Sequence, residues 1–212
     1  MPRAVCSSDQ GYKLDFMRHG ETELSHTLRG STDDALTEKG WQQMEKALLQ
    51  AIQSGIQWDV IFSSPLQRCS VFALQAAQQL GLELQYLPQL QEMHFGDWEA
   101  QTTQHLYETV PEQLEKFWLQ PTMFSPPNAE TLVQFEQRVE QALQKINAYM
   151  QIKKCSRALV ISHGGVIKLL KCKAMSKPLN DLLKMSAELG QLNHFYSSAN
   201  DFIFIDTQEQ CR

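Results

Sequence analysis

The chain has 212 residues, long enough to bury a full core and suited to one large α/β domain or a domain carrying an insertion. With 42% hydrophobic residues, 20% charged residues and a formal charge of −5, it reads as an ordinary soluble protein. That composition argues against a broad nucleic-acid or anionic-lipid face, and no apolar run approaches bilayer-spanning length. Five scattered cysteines (Cys6, Cys69, Cys155, Cys172, Cys211) without a Cys-x-x-Cys pair point to reduced thiols in a cytoplasm and offer no zinc or redox site, while residues 1–10 lack a signal's apolar core and read as a loose lead-in.

Leu14, Phe16 and Met17 mark a short buried strand that ends in Arg18-His19-Gly20, delivering a cation and an imidazole into a turn. Residues 24–34 are polar and read as a loop holding His26, Arg29 and Gly30. Thr37 is a good N-cap and Glu38 suits the positive end of a helix. Trp41, Met44, Ala47, Leu48 and Ala51 then recur at helical spacing to about Gln53, with Gly55 as the stop. Residues 58–62 form a second strand, which runs into Ser63-Ser64-Pro65-Leu66-Gln67-Arg68. Here Ser64 is the expected N-cap and Pro65 the first helical residue, in a helix closed by Gly81 that carries Arg68 in its first turn.

A third strand is expected over residues 82–87. If residues 92–95 are extended, Glu92 and His94 share one face. Residues 103–119 look irregularly helical, and Pro121, Pro126 and Pro127 break the chain. Together, residues 97–130 read as a helical insertion lying over a site rather than part of the sheet. A long helix follows over residues 129–152, with Leu132, Phe135, Val139, Leu143 and Ile146 on one face. Residues 157–162 are the clearest buried strand and end in His163-Gly164-Gly165, ahead of a helix over 166–175. Residues 178–188 read as a further helix, and 191–197 with 202–206 as a terminal hairpin adding an antiparallel edge. The alternation implies a three-layer αβα sandwich around a mainly parallel sheet, in one domain over 1–212.

Ligands in such sheets bind beyond the carboxyl ends of the strands. Three of those ends carry Arg18-His19-Gly20, the segment from Ser63 to Arg68, and His163-Gly164-Gly165, with Glu92 after a fourth apolar segment. This inventory suits phosphoryl transfer. Guanidinium groups spread the charge of the non-bridging oxygens, and helix N-termini with glycines let backbone N–H groups approach them. A neutral His19 can be the nucleophile, kept unprotonated by Arg18 and Arg68, and Glu92 can protonate the leaving oxygen and then activate water. Asp97, Glu99 and Glu108 are rival acids. Trp98, Phe117, Trp118 and Phe124 line a pocket for a substrate's ring or pack the insertion. His26, His105 and His194 have no metal-ligand spacing, and His94 is a loop residue that can tune Glu92.

Four motifs, Arg18-His19-Gly20-Glu21-Thr22, Leu36-Thr37-Glu38-Lys39-Gly40, Ser63-Ser64-Pro65-Leu66-Gln67-Arg68 and Ser162-His163-Gly164-Gly165, give the chain a resemblance to the histidine phosphatase superfamily, the phosphoglycerate mutase-like group. The resemblance implies that His19 is transiently phosphorylated, that Arg18, Arg68 and His163 form the phosphate pocket, and that Glu92 is the proton donor. It also implies substrate contacts from Gly20, Thr22, Ser25 and Gly164. Residues 91–99 are especially similar to bacterial α-ribazole phosphatases, which makes α-ribazole 5′-phosphate, an intermediate of the cobalamin lower ligand, the expected substrate. Ser25, Ala35 and Ala129 depart from the family pattern, and Ser25 stands where relatives commonly have asparagine. No metal or cofactor is expected, and the partner is a small phosphomonoester. A broad-specificity phosphatase, a phosphoglycerate mutase and a silent phospholigand-binding scaffold are the alternatives.

Overall fold

A computed structural model describes residues 11–205, so Cys6, Cys211 and the lead-in lie outside the described residues. Six strands form one sheet: β1 (Tyr12–Arg18), β2 (Val60–Ser63), β3 (Glu83–Tyr86), β4 (Arg157–Ser162), β5 (Leu192–Ser197) and β6 (Phe202–Ile205), in the order β3-β2-β4-β1-β5-β6. The first four of that order are parallel, and β5 and β6 continue antiparallel beyond β1. Central strands β1, β2 and β4 are covered on both faces, which is why they read as near-continuous apolar runs. β5 alternates instead, as an antiparallel strand with one face packed does.

One helical layer, α1 (Glu38–Gln53) and α2 (Gln67–Leu80), packs Met44, Leu48, Phe72 and Ala76 onto Met17, Ile61, Leu159 and Ile161. The other layer holds α5 (Leu132–Lys153) and α6 (Gly164–Ala174), with α3 (Thr103–Thr109) and α4 (Pro111–Leu119) beside them. It packs Phe135, Val139, Ile146 and Ile167 onto Leu14, Phe16, Phe62 and Val160. The chain leaves β1 for α1 on one face and leaves the neighbouring β4 for α6 on the other. A crevice therefore opens where those two connections part, at the carboxyl ends of β1 and β4. Arg18 and Ser162 are register partners there, so the histidine that follows each stands at an equivalent place.

Several boundaries differ from the sequence expectation. The helix after β2 starts at Gln67, not Pro65, and Ser64 does not cap it. Asp33 from the preceding loop takes that part, accepting from the Gln67 N–H at 2.7 Å. Residues 92–95 are irregular rather than a strand. Pro111, which opens α4, splits the irregular helix of the insertion in two. α5 begins at Leu132 because Thr131 and Gln134 make a reciprocal capping box. α6 begins two residues early, at Gly164, and residues 178–188 hold only a short 3₁₀ turn, Leu179–Lys184. Thr37 caps α1 as expected, accepting from Gly40 N.

Candidate active site

The first turn after β1 is built by close backbone approach. A Cβ on Gly20 would stand 2.0 Å from Gly40 O, and one on Gly40 would stand 1.9 Å from Glu21 O. Only glycine at both positions lets the start of α1 lie against the Arg18-His19-Gly20 turn. Thr37 N donates to Glu21 O at 3.0 Å, and Lys39 pairs with Glu21 at 2.7 Å, so the second motif serves to brace the first.

That turn settles the tautomer of His19. Its Nδ1 lies 2.8 Å from Gly20 O, and a carbonyl only accepts, so Nδ1 carries the proton and Nε2 keeps a lone pair. The ring is 4% exposed, and burial holds its pKa well below the usual histidine value, with the charges of Arg68, Arg18 and Arg29 pushing the same way. His163, 5.3 Å away between ring centroids, is buried completely and is likewise held neutral, first by burial and then by Arg68. Its Nδ1 accepts from Arg68 Nε at 3.3 Å. Its Nε2–H therefore points at Ser64 Oγ, 2.8 Å away.

A cavity of about 220 Å³ opens beside these residues. Arg18, His19, Arg29, Glu92, Gly164, Gly165 and Lys168 make its polar part, and Leu28, Phe95, Phe117, Leu182 and Leu183 are among its apolar walls. Arg18 donates Nη1 to Ala187 O at 2.6 Å, but its Nε is buried without a partner. Such a group asks for an anion. Glu92 accepts from Gly165 N at 2.8 Å and from Met93 N at 3.0 Å, and it borders a second, open groove along α5 as well.

Arg68 and His163 support the cavity from behind and do not line it. Arg68 is 1% exposed and donates to Gly30 O (2.8 Å), Thr32 O (2.7 Å) and Asp34 Oδ1 (3.2 Å), so it ties down the loop after β1. Gly20, Thr22 and Ser25 also lie off the wall. Ser25 Oγ accepts from Thr22 N at 2.9 Å and shapes the turn. Gly164 lines the wall against the Arg18 guanidinium, where a Cβ would stand 3.0 Å from Arg18 Nε.

The rival acids are otherwise engaged. Glu99 accepts from the backbone N–H groups of Gly30, Ser31, Thr32 and Phe95 and from Thr32 Oγ1. Burial would raise its pKa, but these bonds outweigh that and lower it, leaving a structural anion. Asp97 accepts from Asn128, and Glu108 from Gln104. His94 accepts from Gly96 N and lines the open groove, and His194 pairs with Asp15 far from the cavity. Of Trp98, Phe117, Trp118 and Phe124, Phe117 lines the cavity. Trp98 backs it edge-on, with the ring centroids 5.7 Å apart, and Trp118 is exposed. Among the described residues no cluster of His, Cys, Asp or Glu is placed to hold a metal ion, and no helix is long and apolar enough to cross a membrane.

Three residues at or behind the cavity are not singled out by the sequence. Arg29 reaches the cavity wall from the polar loop, where its Arg-Gly pair is the only local hint. Lys168 follows Gly164 and Gly165 by four and three residues, so helical spacing places it on their face. Arg138 has no local signal at all. From α5 it donates to the carbonyls of Gln89, Gln91 and Glu92 at 2.9, 2.9 and 3.1 Å and pairs with Glu130, holding the strand-less segment that presents Glu92.

The model of the histidine phosphatase superfamily (branch 1) matches residues 14–207. A bifunctional protein of Mycobacterium tuberculosis is 34% identical over 190 residues, 87% of this chain, and the chain spans 50% of that relative's length. The adenosylcobalamin/α-ribazole phosphatase of Escherichia coli K12 is 28% identical over 183 residues, 84% of this chain and 86% of the relative. A 2,3-bisphosphoglycerate-dependent phosphoglycerate mutase of Bartonella henselae is 29% identical over 163 residues, 74% of this chain and 78% of the relative. Among solved structures, YhfR of Bacillus stearothermophilus superposes with a TM-score of 0.82 over 92% of this chain and 96% of its own. At 24% identity that likeness speaks to the fold.

Proposed function

The chain belongs to the histidine phosphatase superfamily, branch 1, and from that membership we propose that it hydrolyses phosphomonoesters through a phosphohistidine at His19, without a metal. The observation that carries the reading is the Nδ1–H bond of His19 to Gly20 O, which leaves a lone pair on Nε2 of a ring that lines the same cavity as Arg18 and Glu92. In the first step Nε2 forms the N–P bond in line as the P–O bond to the leaving group breaks, and protonated Glu92 gives its proton to the departing oxygen. In the second, the Glu92 carboxylate takes a proton from water, whose oxygen attacks phosphorus. The N–P bond breaks, its electron pair returns to Nε2 and inorganic phosphate leaves. Arg18 meets the non-bridging oxygens throughout. Arg68 binds His163, whose ring packs edge-on against His19, and ties down the neighbouring loop.

The favoured substrate is α-ribazole 5′-phosphate. Leu28, Phe95, Phe117, Leu182 and Leu183 on the cavity wall suit an aromatic base carried by a sugar, and the Escherichia coli relative bears that activity in its name. A small sugar acid uses such walls poorly, which weighs against the mutase reading, and a nucleophile freed of its proton weighs against a silent binder. The free thiols Cys69, Cys155 and Cys172 suit a reducing cytoplasm. The test is phosphate release from α-ribazole 5′-phosphate, p-nitrophenyl phosphate and 3-phosphoglycerate with a chelator present, for wild type and His19→Ala. Turnover of the first, abolished in the variant, supports both mechanism and substrate. Turnover of p-nitrophenyl phosphate alone keeps the phosphatase and discards the substrate, and no release from any of the three overturns the reading.

A further inference from the structure

A phosphomonoester dianion asks for two positive charges beside it, and the arginines of this site are unevenly free to supply them. One carboxylate, Asp34, pairs with both Arg29 (2.8 Å) and Arg68 (3.2 Å). Arg68 in addition spends its N–H groups on Gly30, Thr32 and His163 and does not line the cavity. Arg18 does line it and is incompletely bonded, and beside Arg29, which is paired with Asp34, the wall carries a further cation, Lys168.

Lys168 stands on α6, on the face shared with Gly164 and Gly165 at the helix N-terminus. It is half-buried and borders the same cavity as His19, Arg18 and Glu92, yet it makes no hydrogen bond or salt bridge with another described residue. An ammonium is compact and strongly hydrated, so holding one half-dry without a partner is unfavourable until an anion joins it. The surrounding charges agree. Burial and Arg18 lower its pKa, and the pull of Glu92 and Glu188 does not offset them, so the site's own carboxylates leave the ammonium uncompensated.

Resting on the phosphatase reading above, we propose that Lys168 binds a non-bridging oxygen of the substrate's phosphoryl group and adds its charge to that of Arg18 on the cavity wall. The flexible four-carbon stem lets the ammonium follow phosphorus as it passes from the leaving oxygen to His19 Nε2, a path that a rigid guanidinium tracks less easily. Because the same cavity has apolar walls suited to the leaving group, the experiment must separate the phosphoryl group from an acidic leaving group.

The test uses Lys168→Met, Lys168→Gln and Lys168→Arg, with thermal melting to confirm the fold of each. Calorimetric titration with inorganic phosphate reads binding without turnover. Loss of one charge-assisted bond should weaken it about tenfold in the Met and Gln variants and much less in the Arg variant. KM for p-nitrophenyl phosphate and 3-phosphoglycerate should rise together by a similar factor, with kcat within about threefold. Wild-type phosphate affinity in the Met and Gln variants overturns the proposal. So does a KM increase confined to 3-phosphoglycerate, which would assign Lys168 to the leaving group's carboxylate. The two readings fail separately. Lys168-dependent phosphate binding in a protein that turns over no ester fells the phosphatase and keeps the site, whereas ester turnover indifferent to Lys168 does the reverse.

Discussion

Gly165→Ala separates the proposed acid from everything else in the site. Gly165 is the second residue of α6, and a Cβ there would stand 2.2 Å from Glu92 Oε1 and 3.0 Å from its carboxyl carbon, where ordinary contact begins at 3.4 Å. The obstructed group is a side-chain end, so the backbone can stay while the carboxylate withdraws by about 1 Å, a displacement of a reacting group that costs about 100-fold in rate. Stability should hardly change. Alanine favours a helix over glycine by about 0.5–1 kcal/mol, and losing the Gly165 N–H to Glu92 bond removes about 1 kcal/mol, so Tm moves by less than about 3 °C. The assay is kcat/KM, which reports transfer to His19 and not the later hydrolysis common to all esters, for a series of phosphomonoesters running from p-nitrophenyl phosphate to alkyl phosphates. Poor leaving groups need the proton most, so alkyl esters should lose about 100-fold while the nitrophenyl ester loses less than about tenfold. Equal loss across the series, or none, refutes Glu92 as the proton donor.

Gly20→Ala meets a backbone atom instead, Gly40 O at 2.0 Å, and forces α1 off the catalytic turn. It should cost about 2 kcal/mol and 4–8 °C in Tm and should lower kcat/KM for every ester alike, as read by melting and steady-state kinetics. Arg138→Met removes the side-chain donor of the Gln89, Gln91 and Glu92 carbonyls and the cation paired with Glu130. It should destabilise by about 3 kcal/mol and reproduce the leaving-group dependence of Gly165→Ala, whereas a uniform rate loss would argue that it does not position Glu92. The pKa of His19 is held well below its usual value, so kcat/KM should show no acidic limb near pH 6.5 belonging to the nucleophile, and a limb there would contradict a buried neutral imidazole. Stability carries the matching sign. Below about pH 6.5 the unfolded chain takes up protons at His19 and His163 that the folded chain refuses. Urea unfolding should therefore show a loss of about 2–3 kcal/mol between pH 7.5 and 5.5.

Much of the architecture was legible because it is written in short-range patterns. Leu14 to Met17 and the 157–162 run are apolar throughout since a central parallel strand is covered twice, and Thr37 and Gly81 punctuate helices through their own backbone chemistry. Boundaries slipped where the controlling partner lies elsewhere in the chain. Ser64 looks like an N-cap, but its hydroxyl is taken by His163, 99 residues away, and Asp33 caps the helix from across a loop.

By itself the sequence determined which residue types arrive at the strand ends, and with them the Arg18-His19-Gly20 turn that carries the proposed nucleophile, because alternation, capping and glycine placement act within a few residues of each other. Tertiary structure alone decided how those groups divide the labour. It turned Arg68 inward to the 30–34 loop, set Glu99 as an anchor for that loop, brought Arg138 beneath Glu92 and left Lys168 facing the cavity with no partner. The reason is physical. A side chain's role depends on which donors and acceptors remain unmet once distant elements have packed, and no local pattern records that.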